Sequence, residues 1–120
     1  MKLDRHTRST EVVLREIWRI APDQVRVLPI TENQIGYARD IVKELRDAFV
    51  RADLEFSNDK LQGRILRAEE AKVHTMLIVG QKEQDAHAVA VRIHGKGNVG
   101  VKPRVEAVAD LLQAIRERRS

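Results

Sequence analysis

Six residues, Gln81 to Ala86, separate the two strongest strand signals in this sequence. Upstream, Thr75-Met76-Leu77-Ile78-Val79-Gly80 is apolar almost throughout, the pattern of a central strand covered on both faces. Downstream, Val89, Val91 and Ile93 alternate with Ala90, Arg92 and His94, the period-two pattern of another strand. A parallel crossover needs about a dozen residues or more, so the pair is predicted to be an antiparallel hairpin.

Ahead of that hairpin the period switches back and forth. Val25-Arg26-Val27-Leu28-Pro29-Ile30 is a short β-branched run, read as a buried strand. Thr31-x-x-Gln34 matches a capping box, in which hydroxyl and amide each satisfy an open backbone N–H. Ile35, Ala38, Ile41, Val42, Leu45 and Phe49 then form one helical stripe. Leu54-Glu55-Phe56 is a second short strand. Asn58 or Asp59 is placed to cap the next helix, with Leu61, Ile65, Ala68 and Val73 facing inward. At the ends of the chain, Val12, Val13, Ile17, Trp18 and Ile20 predict a leading helix stopped by Ala21-Pro22. Pro103 opens a last helix with the stripe Val105, Val108, Leu111, Leu112 and Ile115. Its end carries Arg116, Arg118 and Arg119, cations that suit a helix C-terminus. The β-α-β-α-β order implies parallel strands with right-handed crossovers, followed by one reversed strand. The expected fold is α/β and three-layered: a mixed sheet, mostly parallel with one antiparallel strand, flanked by helices. Residues 1–20 are expected to be an N-terminal helix or leader, and residues 21–120 the domain.

With 120 residues, 42% hydrophobic and 33% charged, the chain suits one folded domain with a real core. No apolar run approaches the roughly 20 residues of a membrane-spanning helix. No secretory signal follows Met1-Lys2-Leu3-Asp4-Arg5-His6, so a cytoplasmic protein is expected. The absence of cysteine removes disulfides, Cys-ligated zinc and thiol catalysis. Charge is unevenly spread. Residues 1–60 hold 11 basic and 11 acidic side chains, whereas residues 61–120 hold 11 basic and 7 acidic ones. A basic half suits a phosphate-bearing partner as well as a merely solvated surface.

Gly95-Lys96-Gly97-Asn98-Val99-Gly100 satisfies G-x-G-x-x-G, but it follows a reversed strand and lacks the acidic residue about 20 positions on. It is read as a flexible basic loop. His6, His74, His87 and His94 have no metal-ligand spacing, and no nucleophile elbow or phosphate loop of the G-x-x-x-x-G-K-[ST] type exists, so neither metal nor covalent catalysis is expected. Three polar residues carry two readings each. Asn58 is a helix cap, or an amide offering donor and acceptor together at a strand's carboxyl end, where open α/β sheets bind ligands. Glu83 is an exposed turn carboxylate, or a group at that same edge. Arg92 faces away from Val91 and Ile93, and covers a sheet face or pairs with an acid.

Ala21-Pro22-x-Gln24-Val25-x-Val27-Leu28-Pro29-Ile30-Thr31, Asn58-Asp59-Lys60-Leu61, Met76-Leu77-Ile78-Val79-Gly80-Gln81-Lys82-Glu83 and Val89-Ala90-Val91-Arg92 occur in this order. Together they resemble the C-terminal anticodon-binding domain of threonyl-tRNA synthetases, within the superfamily shared with the prolyl, glycyl and histidyl enzymes. The likeness runs from about Ala21 to Gln113. It implies a mixed five-stranded sheet flanked by helices, with one antiparallel strand, and a domain that reads the anticodon loop of threonine tRNA. The residues matching the family's contacts to the second and third anticodon bases are Asn58, Glu83 and Arg92. Lys60, Arg64, Lys82 and Lys96 are expected phosphate contacts. The sequence departs from the family pattern at Ser57, Gln62 and His74. The resemblance also implies a homodimeric parent enzyme whose catalytic domain, with its ATP and zinc sites, has no counterpart in these residues. The chain is thus expected to be non-enzymatic by itself and to be either an excised domain or a freestanding paralogue. The other functions weighed are a protein-interaction or dimerisation module and a small-molecule-binding α/β domain.

Overall fold

Residues 24–119 are described by a computed structural model. The leading helix expected over Val12 to Ile20 lies outside them. The described elements are β1 (Val25–Pro29), α1 (Ile35–Asp47), β2 (Ala52–Leu54), α2 (Leu61–Glu70), β3 (Thr75–Val79), α3 (Gln81–Asp85), β4 (Ala88–Ile93), β5 (Gly97–Pro103) and α4 (Arg104–Arg119). A 3-10 turn, Glu32–Gln34, leads into α1. They build one five-stranded sheet in the order β2-β1-β3-β4-β5.

The apolar run at Thr75 does become the central strand, and every residue of β3 is buried. The alternation of its side chains divides the core. Val25, Val27, Leu77, Val79, Val89 and Val91 pack with Ala38, Ile41 and Leu45 of α1 and Val108, Leu111 and Ile115 of α4. Leu28, Met76 and Ile78 point the other way, against Ile65 and Ala68 of α2. Helices therefore cover both faces, giving three layers. The predicted capping box is present: Gln34 Oε1 accepts from the Thr31 N–H at 2.9 Å, and Thr31 Oγ1 accepts from the Asn33 N–H at 3.3 Å.

Several expectations need correction. The sheet is mixed but not mostly parallel: β1 pairs in parallel with β2 and β3, while β4 pairs antiparallel with both β3 and β5. The antiparallel ladders match four and six residues, the parallel ones three and five, so antiparallel pairing holds the larger share. The cause is the segment read as a flexible basic loop, which forms a strand. Gly95 and Gly97, at φ 84° and 79°, make the turn of a β4–β5 hairpin. Gly100, at φ 105°, lies at the register shift opposite Val91 and Arg92, the conformation a bulge asks of glycine. The G-x-G-x-x-G spacing is thus a hairpin turn plus a bulge. Pro103 closes β5 rather than opening α4. The second strand lies two residues earlier than Leu54 to Phe56.

Phe49 is not in the core. The helix ends with Phe49 at φ 64° and 59% exposed, and Val50 is buried in its place. That left-handed residue lets the Val50 N–H return to the Leu45 carbonyl at 2.9 Å, closing the helix end. Finally, neither Asn58 nor Asp59 caps α2. Its N-cap is Lys60, with no side-chain cap.

Candidate nucleic-acid interface

Strands β2, β1 and β3 run in parallel, so their carboxyl ends share one edge of the sheet. Such an edge is where open α/β sheets receive ligands. Of the three connections that leave it, two carry candidate residues: residues 55–60 after β2 and the Gly80–Glu83 segment after β3.

The first connection is held by two arginines of α2. Arg64 Nε donates to Glu55 Oε1 at 2.8 Å, and Nη2 donates to the carbonyls of Pro29 at 2.7 Å and Glu55 at 2.8 Å. Its guanidinium also lies 5.3 Å from the centre of the Phe56 ring. At 2% exposure it faces inward. The expected phosphate contact at Arg64 is therefore corrected: the side chain is buried with Nε and Nη2 committed to the fold, because it sits on the inward stripe between Leu61 and Ile65. One turn on, Arg67 donates to Asp59 Oδ2 at 2.7 Å, and to Glu55 Oε2 and Ser57 Oγ at 3.3 Å each. Burial pushes the Glu55 carboxyl up, but hydrogen bonds from Arg64 and Arg67, with the Arg64 charge, outweigh it and hold the group below its usual pKa. With its neighbours so engaged, Asn58 is exposed, and among the described residues nothing bonds its amide. An exposed, unbonded amide keeps its donor and its acceptor available, as base reading would need.

Glu83 is half-buried rather than a free turn carboxylate. Its Oε1 accepts the Gly80 N–H at 2.7 Å. Beside it, the buried Gln34 amide donates to Gln81 Oε1 at 3.3 Å, and the Tyr37 hydroxyl donates to the Ala88 carbonyl at 2.8 Å. Burial raises the Tyr37 hydroxyl above its usual pKa. The Arg104 guanidinium, stacked 5.4 Å from the ring centre, opposes that rise and the Glu83 charge adds to it.

Arg92 stands apart. It lies opposite Met76, near the amino end of β3, on the face covered by α2. Its Nη2 is 3.7 Å from Glu69 Oε1, at the far end of that helix, and its Nε is buried without a partner. Ten helical residues span about 15 Å, so α2 is the rod that separates Asn58 from Arg92. Asn58 and Glu83 share an edge; Arg92 is reached along the helix. The expected phosphate contacts divide likewise. Lys60 and Lys82 are exposed at the carboxyl edge, whereas Lys96 is exposed in the β4–β5 turn at the opposite end. A cavity of about 380 Å³ opens there between His74, Leu77, His94, Lys102 and Leu111, and Lys96 is the one candidate residue that lines it.

Sequence reasoning passed over Arg67 and took Gly80 only as part of a family motif. The i, i+3 spacing from Arg64 could have found the first, since it sets both arginines on adjoining faces of α2. The Gly80-x-x-Glu83 spacing, that of an N-cap and its third helical residue, could have found the second. Among the described residues no group of His, Asp and Glu is placed to hold a metal. No described helix is long and apolar enough to cross a membrane.

Comparison with known proteins identifies a family. A family model described as an anticodon binding domain matches residues 24–115. The chain is 40% identical over 103 residues to a threonine–tRNA ligase of Thermus thermophilus, covering 86% of this chain and 16% of that protein. It is 44% identical over 84 residues to a threonine–tRNA ligase of Desulforamulus reducens, covering 70% and 13%. The chain thus spans about a sixth or less of the length of these relatives. Among solved structures, the RNA binding domain of threonyl-tRNA synthetase from Cryptosporidium parvum superimposes with a TM-score of 0.72 at 19% identity, covering 81% of this chain and 24% of that one. Prolyl-tRNA synthetase of the same organism gives 0.68 at 23% identity, covering 84% and 23%. At those identities the two structures speak for the fold alone.

Proposed function

The chain belongs to the family of anticodon-binding domains, and from that premise we propose that it reads the anticodon loop of threonine tRNA as the anticodon-binding module of a threonine–tRNA ligase. The observation that carries this reading is the 40% identity to such a ligase over 86% of the chain. In the proposal Asn58, Glu83 and Arg92 read the second and third anticodon bases. Unstacked loop bases expose their Watson–Crick edges, and amide, carboxylate and guanidinium groups pair with them directly. Lys60 and Lys82 neutralise phosphates at the carboxyl edge, and Lys96 does so at the other end.

Arg92 must loosen its hold on Glu69 to meet a base. A half-exposed pair at 3.7 Å is worth about 0–1 kcal/mol, less than the roughly 1–3 kcal/mol of a good base contact. The exchange is therefore favourable. ATP, zinc and the aminoacylation chemistry belong, in this reading, to the catalytic domain of a homodimeric cytoplasmic parent, and the 120 residues alone charge no tRNA.

The test is a titration of the chain with a threonine anticodon stem-loop and with one altered at its second or third anticodon base, at two salt concentrations. The expected result is tighter binding of the threonine loop, by about five- to a hundredfold per good base contact, over a background that weakens with salt. Equal binding of both loops overturns the proposal in favour of a protein-interaction module.

A further inference from the structure

Gly80 joins β3 to α3 with φ −109° and ψ −169°, an extended backbone that any residue adopts. Conformational freedom is therefore not what calls for glycine there; space is. A Cβ on Gly80 would lie 2.8 Å from Ile30 Cδ1 and 2.9 Å from Glu83 Oε1. Real Cβ atoms keep a larger distance, so a side chain at residue 80 forces one of these neighbours to move. The Ile30 methyl is the end of a flexible, 40% exposed side chain and can rotate aside. The carboxylate can do so only by disturbing its own bond, because the same Oε1 accepts the Gly80 N–H at 2.7 Å.

Resting on the anticodon-reading function above, we propose that Gly80 is a positioning residue for base recognition, its missing side chain letting the Glu83 carboxylate lock onto the Gly80 N–H so that Oε2 faces the base. A carboxylate fixed in this way loses little rotamer freedom when the base arrives, whereas a loose one loses much.

The test isolates the carboxylate by removing the other clash. Ile30→Val deletes Cδ1, and Gly80→Ala is then introduced into that background, with and without Glu83→Ala. Each protein is checked by thermal melting and titrated with the threonine loop and the loop altered at its second or third base. Ile30→Val alone is expected to keep the wild-type preference. Adding Gly80→Ala should reduce the preference to within about twofold of the level left by Glu83→Ala, with binding of the altered loop unchanged. In the Glu83→Ala background, Gly80→Ala should cost no further preference.

The proposal is overturned if Gly80→Ala keeps the wild-type preference, weakens both loops equally, or lowers preference further once Glu83 is gone. Should Gly80→Ala not melt cooperatively, amide exchange decides in its place. The Gly80 N–H should exchange at least about tenfold faster in Glu83→Ala than in wild type, and equal rates overturn the proposal. If the wild type prefers neither loop, the function itself falls. If the wild type discriminates and Gly80→Ala still does so, only the role of Gly80 falls.

Discussion

Of the connections that leave the carboxyl edge of the sheet, two each carry one proposed base-reading residue, yet these two are held by different means. The β2–α2 connection presents Asn58 on a lattice of charged groups, in which Arg64 and Arg67 bind Glu55, Asp59 and Ser57. The β3–α3 connection presents Glu83 through one bond to a backbone N–H. In the first, the reading residue is left unbonded and its neighbours are fixed. In the second, the reading residue is itself the fixed part. Disturbance of the first should therefore spread through stability, acid tolerance and Asn58 together, while disturbance of the second stays local to Glu83.

The largest effect that can break this contrast is Arg64→Ala. It strips a buried guanidinium from Glu55 and leaves the Pro29 and Glu55 carbonyls without their donor. Removing one partner of a buried pair costs about 3–5 kcal/mol, and because Glu55 is only half-buried the lower end, about 3 kcal/mol, is expected. Denaturant unfolding reads this directly. Arg64→Lys should recover only part of it, since an ammonium cannot reproduce the fork. A loss below about 1 kcal/mol would return Arg64 to the surface role its charge suggested.

Next come the proposed reading residues themselves. Asn58→Ala and Glu83→Ala should each lose about 1–3 kcal/mol of discrimination between the threonine loop and one altered at its second or third base, with little change in melting temperature. The sharper form uses a double substitution. In an Arg64→Lys protein the further effect of Asn58→Ala should shrink, whereas that of Glu83→Ala should persist in full. Equal shrinkage of both would mean that the two connections are not independent.

Acid separates them again. The Glu55 pKa is lowered in the folded chain, so its charge contributes stability above the unfolded-state value. That contribution is lost as pH falls through the folded value, below the ordinary carboxylate range near about 4. Glu55→Gln lacks the titrating group. Its denaturation midpoint should start lower at neutral pH and fall less steeply below about pH 4 than that of the wild type. Parallel curves would show that Glu55 is not the group concerned.

The fold was most legible where the hydrophobic period was clean. Val25 to Pro29, the stripe from Ala38 to Leu45 and the run Thr75 to Val79 each carry a single period, and each lies in the core. β5 was hidden because an edge strand needs no apolar face: Val99 and Val101 are exposed, and the glycines in and before it imitate a loop. The burial of Arg64 was half visible. Its position between Leu61 and Ile65 puts it on the inward stripe of α2, but its partner Glu55 and the Pro29 carbonyl come from other parts of the chain, and no local pattern names them. The same limit hid the spread of the site. Spacing brings Asn58 and Glu83 to one edge, but only the antiparallel register of β4 reveals that Arg92 lies opposite Met76, at the other end of α2.

That separation gives the smallest expected effect, at Glu69. Its carboxylate is 3.7 Å from Arg92 Nη2 and about half exposed, so the pair contributes about 0–1 kcal/mol to stability. Glu69→Ala should leave unfolding within about 0.5 kcal/mol of the wild type. For RNA the same change has a definite sign. It releases a guanidinium that the proposed complex uses, and in that complex it removes an anion from a face that phosphates approach. Binding of every loop should therefore tighten by up to about fivefold, as the lost pair energy allows, and the gain should shrink as salt is added. In an Arg92→Ala background the specific part of that gain should vanish, leaving only the salt-sensitive part. Weaker binding of Glu69→Ala would mean that Glu69 holds Arg92 in its reading position, making α2 a second positioning element like Gly80 rather than a competitor for the guanidinium.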